Sequence, residues 1–383
     1  MSIIIGADIV PIESNIKLFE KGDINALIGR DLQSILNKAD FIICNLETPL
    51  SDKSSPIIKF GPNLIAPQAC SAGIKQLGVD LVTLANNHIM DHGKQGLLLT
   101  IHELENAGIS YVGAGNNLAE AEKPFYFSIK KKLYGVYACA EHEFSIATED
   151  SPGANPFCAI DSFDHISAIR EKCDYLIVLF HGGKEHYRYP SPYLQKVCRK
   201  MVDSGADLVV CQHSHCIGCQ EKHNNGTIVY GQGNFLFPRL ENEFWSTSLI
   251  INIDDSGKIE YIPIKRTTFG TQKATEQDSV EILKDFYMRS KQIEVTGFLQ
   301  KEYERFAEEN LENYIRYISV SHNSIIYRGL NRLMNNLPQK YIIHRFLKRK
   351  KMGMLNYIEC EAHRELLITG LRMSSNIKKN NNL

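Results

Sequence analysis

No stretch of this 383-residue sequence is apolar for long enough to cross a bilayer. Its densest apolar run, Leu176-Ile177-Val178-Leu179-Phe180, falls far short of the ~20 residues that a spanning helix needs. A secretory leader is not expected either. The first apolar run, Ile3 to Ile5, gives way at once to Gly6-Ala7-Asp8, with no basic segment before it and no small-residue cleavage site after it. The expected location is therefore the cytoplasm. There is no internal repeat, and no low-complexity tract before Lys378-Lys379-Asn380-Asn381-Asn382. Gly-x-Ser-x-Gly and Walker patterns are missing, which leaves serine-hydrolase and P-loop chemistry without support. Gly113-Ala114-Gly115-Asn116-Asn117 lacks the third glycine and the acidic partner of a dinucleotide loop, and reads as a strand-to-helix turn.

The composition is that of a globular chain, 43% hydrophobic and 23% charged, which excludes wholly disordered or collagen-like sequences. The net charge of −1 conceals an asymmetry. From Pro338 to Leu383 ten Lys/Arg stand against three Glu, leaving 33 basic against 41 acidic residues elsewhere. In the tail, Tyr341, Ile342, Phe346 and Leu347 share one helical side. A solvated helix face is the plainer reading, and docking on an anionic membrane surface or a partner protein is the alternative. Stacked aromatics in a basic groove are absent, so nucleic acid is not an expected partner. Most of the ten cysteines lie in apolar runs, such as Ile42-Ile43-Cys44, and read as buried reduced thiols. Cys216-Ile217-Gly218-Cys219 lacks the second pair that a structural zinc would need, and reads as incidental.

From residue 2 to about 235, short β-like runs alternate with amphipathic stretches. The strand candidates include Ile3–Ile5, Phe41–Cys44, Leu81–Leu84, Leu176–Phe180 and Leu208–Cys211; the helical ones include Ile24–Asn37, Gly93–Ala107 and Tyr193–Asp203. This rhythm predicts α/β layering with at least partly parallel pairing. Asp254-Asp255-Ser256-Gly257 reads as the turn of a hairpin. Beyond it the chain becomes helical and polar. The expected division is a core domain over residues 1–272 and a mainly helical, basic extension over residues 273–383.

Polar side chains interrupt the ends of five strand candidates. They are Asp8, Asn45-Leu46-Glu47, Asn86-Asn87-His88, His181 and His213-Ser214-His215. Ligands of α/β sheets bind beyond such strand ends. Each interruption alone could be a cap or a loop residue; five of them, all acid, amide or imidazole, point to a metal site. In an extended segment His213 and His215 would face the same way. Carboxylate, imidazole and amide oxygen suit Mn²⁺, Fe²⁺ or Zn²⁺ rather than soft metals. Six candidates exceed the needs of one zinc. Two ions ~3.5–4 Å apart sharing a carboxylate would use them, and would suit attack at phosphorus.

The ordered series Gly6-Ala7-Asp8, Asn45-Leu46-Glu47, Ala85-Asn86-Asn87-His88-Ile89-Met90-Asp91-His92-Gly93, His181-Gly182-Gly183-Lys184-Glu185, His213-Ser214-His215 and Tyr230-Gly231-Gln232-Gly233-Asn234-Phe235 resembles the CapA family. That family is named for poly-γ-glutamate capsule synthesis and lies within the calcineurin-like metallophosphoesterase superfamily. The resemblance covers residues 2–240. It implies a four-layer α/β/β/α sandwich with the site above paired sheets. It also implies that Asp8 and His215 ligate a first ion, that Asn87, His181 and His213 ligate a second, and that Glu47 bridges them. His88 would act beside the scissile group as proton donor or phosphoryl partner, with Asp91 orienting it. The superfamily's usual Asp-x-His is absent from Asp8-Ile9-Val10, which leaves the first ion poorer by one imidazole. Cys216 replaces an apolar residue after the His-x-His block.

The implied function is metal-dependent hydrolysis of a phosphoester in making or trimming a bacterial surface polymer, on a phosphorylated or polymeric small-molecule or glycan substrate. The alternative is a non-catalytic assembly factor that keeps the fold and uses the pocket to bind a polymer or its precursor. Membrane lipid or other capsule-synthesis proteins would be met through the basic tail.

Overall fold

The computed structural model describes residues 1–238, 242–319, 332–334 and 337–359, with residues 363, 364 and 367. Met1–Gln300 form one compact unit and Lys301–Leu383 another. The first unit is an α/β structure built on two mixed sheets.

In the first sheet Ser2–Ile9, Phe41–Leu46, Leu81–Thr83 and Ser110–Val112 run parallel. Thr247–Asp254, Ile259–Arg266 and Thr271–Lys273 extend it antiparallel from Ser2–Ile9, with the expected hairpin among them. Asn234–Leu236 adds a short parallel pairing beside Asp8. The second sheet is centred on Lys132–Ala140, Tyr175–His181, Leu208–Gln212 and Gly226–Tyr230, all parallel, with antiparallel Phe125–Ile129 and Gln220–His223 at its edges.

Alternation along each strand sends successive side chains to opposite faces. Ile3, Ile5, Ile43, Leu81 and Ile251 of the first sheet share one apolar cluster with Val136, Ile177, Leu179 and Val210 of the second, so the sheets meet face to face. The opposite face of the first sheet, including Ile4, Ile42, Cys44 and Val82, is covered by Phe19, Leu27, Leu32, Leu97 and Leu104 from helices Ile16–Lys21, Ile24–Leu36 and Gly93–Asn106. Leu176, Val178 and Phe180 on the far face of the second sheet lie against Ile166, Val197, Cys198 and Met201 from Ser162–Arg170 and Pro192–Asp203. Strands buried on both faces explain the continuous apolar runs of the sequence.

The first unit reaches past the expected boundary at residue 272. Helix Glu276–Gln292 sets the Phe286 ring 4.7 Å from that of Tyr261, in the cluster between the sheets. Its Arg289 Nε donates to the carbonyl of Gly218 at 2.8 Å. In the second unit Leu337–Glu359 is helical. Tyr341 is exposed there, while Phe346 and Leu347 are half-buried. The Ile342 side chain lies outside the described residues, as does the end of the basic tail from residue 360 apart from the three positions named above. Among the described residues, no helix is long and apolar enough to cross a membrane. Nine cysteines there carry free thiols, seven of them buried, Cys216 and Cys219 included.

Candidate metal centre

The site lies where neighbouring strand ends open between the two sheets. In Phe41–Leu46, Ile43 faces the second sheet while Cys44 and Leu46 face the helices. Asn45 and Glu47 therefore share the inter-sheet side. By the same alternation His181 follows Ile177 and Leu179. Asp8 obeys a different rule. It lies within its strand, not beyond it, and simple alternation from Ile5 would turn it toward the helices. Between the pairs Ile5–Ile43 and Asp8–Asn45 one strand advances three residues and the other two. This bulge puts Ala7 and Ile9 with Ile4 on the helix side, and so returns Asp8 to the site. Gly6 makes it possible, because a Cβ there would come within 2.7 Å of Cys44 Sγ.

The two histidines after Leu208–Gln212 depart from expectation. His213 and His215 have φ of 86° and 53°, so the segment is not extended. Two left-handed residues turn the chain just past the strand end. Such conformations cost about 1–3 kcal/mol each and tend to mark functional positions.

All six residues expected as ligands come together. Glu47, His181 and His213 place donor atoms within 4.8 Å of one another, and so do Asp8, Glu47 and His215. Glu47 is common to both groups. His181 Nε2 lies 3.0 Å from Asn87 Oδ1, 3.1 Å from His213 Nδ1 and 3.3 Å from Glu47 Oε1. One imidazole nitrogen carries at most one hydrogen, so it cannot serve three such partners. In the other group His215 Nδ1 lies 3.6 Å from Asp8 Oδ2. Asp8 Oδ2 and both Glu47 oxygens are buried without a hydrogen bond, a costly state for carboxylates. Hard oxygen and imidazole donors left in this condition fit divalent cations.

Reading the sequence assigned no role to Asn45, Asn86, Glu143, Leu64 or Lys59, which support the expected site residues. Asn45 Nδ2 donates to Asp8 Oδ1 at 2.8 Å, and Asn86 Nδ2 donates to Asn45 Oδ1 at 3.0 Å. The signal for Asn45 was its place two residues before Glu47, on the same strand face. Asn87 Nδ2 donates to Glu143 at 3.0 Å, which turns its oxygen toward His181. His88 Nδ1 lies 2.6 Å from Asp91 Oδ2, which also accepts the Leu64 N–H at 2.6 Å. The Lys59 ammonium pairs with Asp91 Oδ1 and lies 3.2 Å from His88 Nδ1. Its side chain is 2% exposed, although Ile58 and Phe60 beside it are exposed. An irregular loop gave no periodicity from which to infer this. His88, Glu185, His215, Phe237, Asn242 and Trp245 are among the residues that line a cavity of about 400 Å³.

Burial, with the Asp8 charge adding to it, raises Glu47 to about 8. Burial opposes charge on His215, but Glu47 and Asp8 outweigh it and raise the imidazole to about 9. Burial holds His181 down at about 4 and His213 well below the usual imidazole range. Burial pushes Asp8 up, yet His215 and His181 together keep it lowered. Glu47 and His215 are raised on folding, so their stabilisation is complete below their ordinary values and is lost as pH climbs through about 8 and then about 9. His181, His213 and Asp8 work in the opposite sense, on the acid side. Metal-free protein should therefore melt at falling temperature between about pH 7 and pH 9. Added Mn²⁺ or Zn²⁺ displaces the protons, so affinity should rise over that range and remove the fall. Thermal melts with and without metal check this, and a flat metal-free profile would contradict it.

The chain matches the family described as bacterial capsule synthesis protein PGA_cap over residues 3–239. It is 30% identical to the capsule biosynthesis protein CapA of Bacillus anthracis, over 55% of this chain and 53% of that protein. It is 26% identical to the PGA biosynthesis protein CapA of Bacillus subtilis, over 61% of this chain and 63% of that one. The chain thus spans about half of the first relative and under two thirds of the second. Among solved structures, a phosphatase of Mycoplasma pneumoniae superposes with a TM-score of 0.44 at 16% identity, over 69% of this chain and 93% of that chain.

Proposed function

The chain belongs to the bacterial capsule synthesis protein PGA_cap family, and from that premise we propose that it hydrolyses a phosphoester during synthesis or trimming of a bacterial surface polymer. On this reading the paired sheets and their helices are the α/β/β/α sandwich of metallophosphoesterases. Glu47 carries the proposal, as one buried carboxylate common to two donor groups, with neither oxygen hydrogen-bonded. Asp8, Glu47 and His215 would hold one ion, and Asn87, Glu47, His181 and His213 the other.

Held there, such ions would supply an activated water and would neutralise charge on phosphoryl oxygens. This chain's own residues do the rest. Asp91 takes His88 Nδ1, which leaves the other ring nitrogen for a bound ester and its leaving oxygen. The buried Lys59 ammonium compensates the Asp91 charge. The cavity bounded by Phe237 and Trp245 holds the rest of the substrate and limits water. We assign the substrate to phosphorylated small molecules or glycans, and the basic tail to contacts with a membrane surface or other capsule-synthesis proteins.

The test is metal analysis of the purified protein, followed by turnover of phosphomonoesters and phosphodiesters with Mn²⁺, Fe²⁺ or Zn²⁺. Turnover that a chelator abolishes and metal restores is the expected result. No turnover with fully loaded protein, together with chelator-resistant binding of polymer, would replace hydrolysis with the assembly-factor reading.

A further inference from the structure

The two donor groups are unequal. The second gathers an amide oxygen (Asn87 Oδ1), two imidazoles and the shared carboxylate. The first has one imidazole, one carboxylate and the same shared Glu47. The next residue on the Asp8 face of the strand is Val10, which packs with Phe237 and Trp245 and offers no donor. Asp8 Oδ2 is nevertheless left without a hydrogen bond, as is expected of an atom awaiting a cation rather than a proton.

A further donor is in place. Asn234 pairs directly with Asp8 across the parallel strands. Gly233, with φ of 82°, makes the turn that brings it there, and the Asn234 N–H is fixed on Ser248 Oγ at 2.8 Å. The side chain is buried, at 6% exposure. Its Oδ1 lies 2.8 Å from His215 Nδ1, and its Nδ2 has no hydrogen-bond partner. The same relation recurs in the second group, where Asn87 Oδ1 lies 3.0 Å from His181 Nε2. His215 Nδ1 is also the atom 3.6 Å from Asp8 Oδ2. Separations of this size are those of neighbouring donors around one ion, since bonds of about 2.0–2.2 Å set adjacent ligands roughly 3 Å apart.

We propose that Asn234 is the fourth protein ligand of the first ion, binding through its amide oxygen, so that each ion has one asparagine, the shared Glu47 and imidazole from the left-handed turn. This rests on the reading that divalent ions occupy the site. His215 then binds through Nδ1 and carries its hydrogen on Nε2. The competing arrangement has the opposite tautomer, because an amide oxygen that accepts from Nδ1–H leaves only Nε2 for the ion.

Two readouts decide it without reference to activity. Isothermal titration of metal-free protein with Zn²⁺ should show two ions bound by wild type. Asn234→Ala should weaken the first by about 10–100-fold and spare the second. Asn234→Asp, which keeps an oxygen donor, should bind the first at least as tightly as wild type, and it separates loss of a ligand from loss of the fold. Imidazole ¹⁵N shifts of the zinc-loaded wild type should identify Nδ1 of His215 as the bound nitrogen. Binding through Nε2, or an Asn234→Ala variant that keeps both ions, would overturn the assignment. A wild type that takes up no ions would instead overturn the metal reading beneath it.

Discussion

Glu47→Gln is expected to remove both ions together, lowering each affinity on the order of 100-fold or more. The reason is geometric. Asp8 and His215 belong to one donor group and His181 and His213 to the other, whereas Glu47 belongs to both. Asp8→Asn should therefore weaken only the first ion, and His213→Ala only the second. Metal-free Glu47→Gln should also be the more stable protein at alkaline pH. It has no buried carboxylate to ionise through about 8 beside Asp8, whereas wild type must strand that charge in a dry site. Metal content by elemental analysis and melting curves at about pH 8–9 measure the two effects. A variant that still carries two ions would show that Glu47 is not shared. The opposite signs with and without metal separate a ligand from a merely structural residue, which would lose stability in both states.

The second large effect concerns His88 and its support. His88→Asn should reduce turnover by about 10²–10⁴-fold while both ions stay bound, because its ring lies outside both donor groups. Asp91→Asn should lower turnover and also cost about 3–5 kcal/mol of stability. Its carboxylate is fully buried between the Lys59 ammonium, His88 Nδ1 and the Leu64 N–H, and removing the charge leaves a buried lysine without its counter-ion. Lys59→Met should destabilise for the mirror-image reason. Equal metal content in all three variants, with a normal melting temperature for His88→Asn alone, is the expected pattern. If His88→Asn lost an ion instead, the imidazole would have to be counted among the ligands.

Much of this was legible before any coordinates. Short apolar runs alternating with amphipathic stretches marked the α/β layering and its partly parallel pairing. Five of the six expected ligands sit at or just past the end of a strand, where an α/β sheet can expose polar groups without breaking its core; Asp8, inside its strand, needs the bulge. Asn234 was visible within the Gly-Asn-Phe block but had no stated role. Lys59 was not visible at all, because its meaning depends on a carboxylate 32 residues away and on a loop that carries it inward against its own exposed neighbours. Helix Glu276–Gln292 read as part of an extension, because its single deeply buried aromatic, Phe286, is too sparse a stripe to reveal the packing against Tyr261.

By itself the sequence determined the residue types, their order and their association with strand ends, and hence the hard-donor chemistry open to the protein. Periodicity is local, and it survives without knowledge of the partners. Only the tertiary structure decided which faces those residues take. The bulge at Gly6 reverses Asp8, left-handed backbone at His213 and His215 turns the chain where their donor atoms join the two groups, and parallel register sets Asn234 beside Asp8. Each of these depends on backbone geometry and on contacts between segments far apart in the chain, and no repeat of two or of 3.6 residues records them.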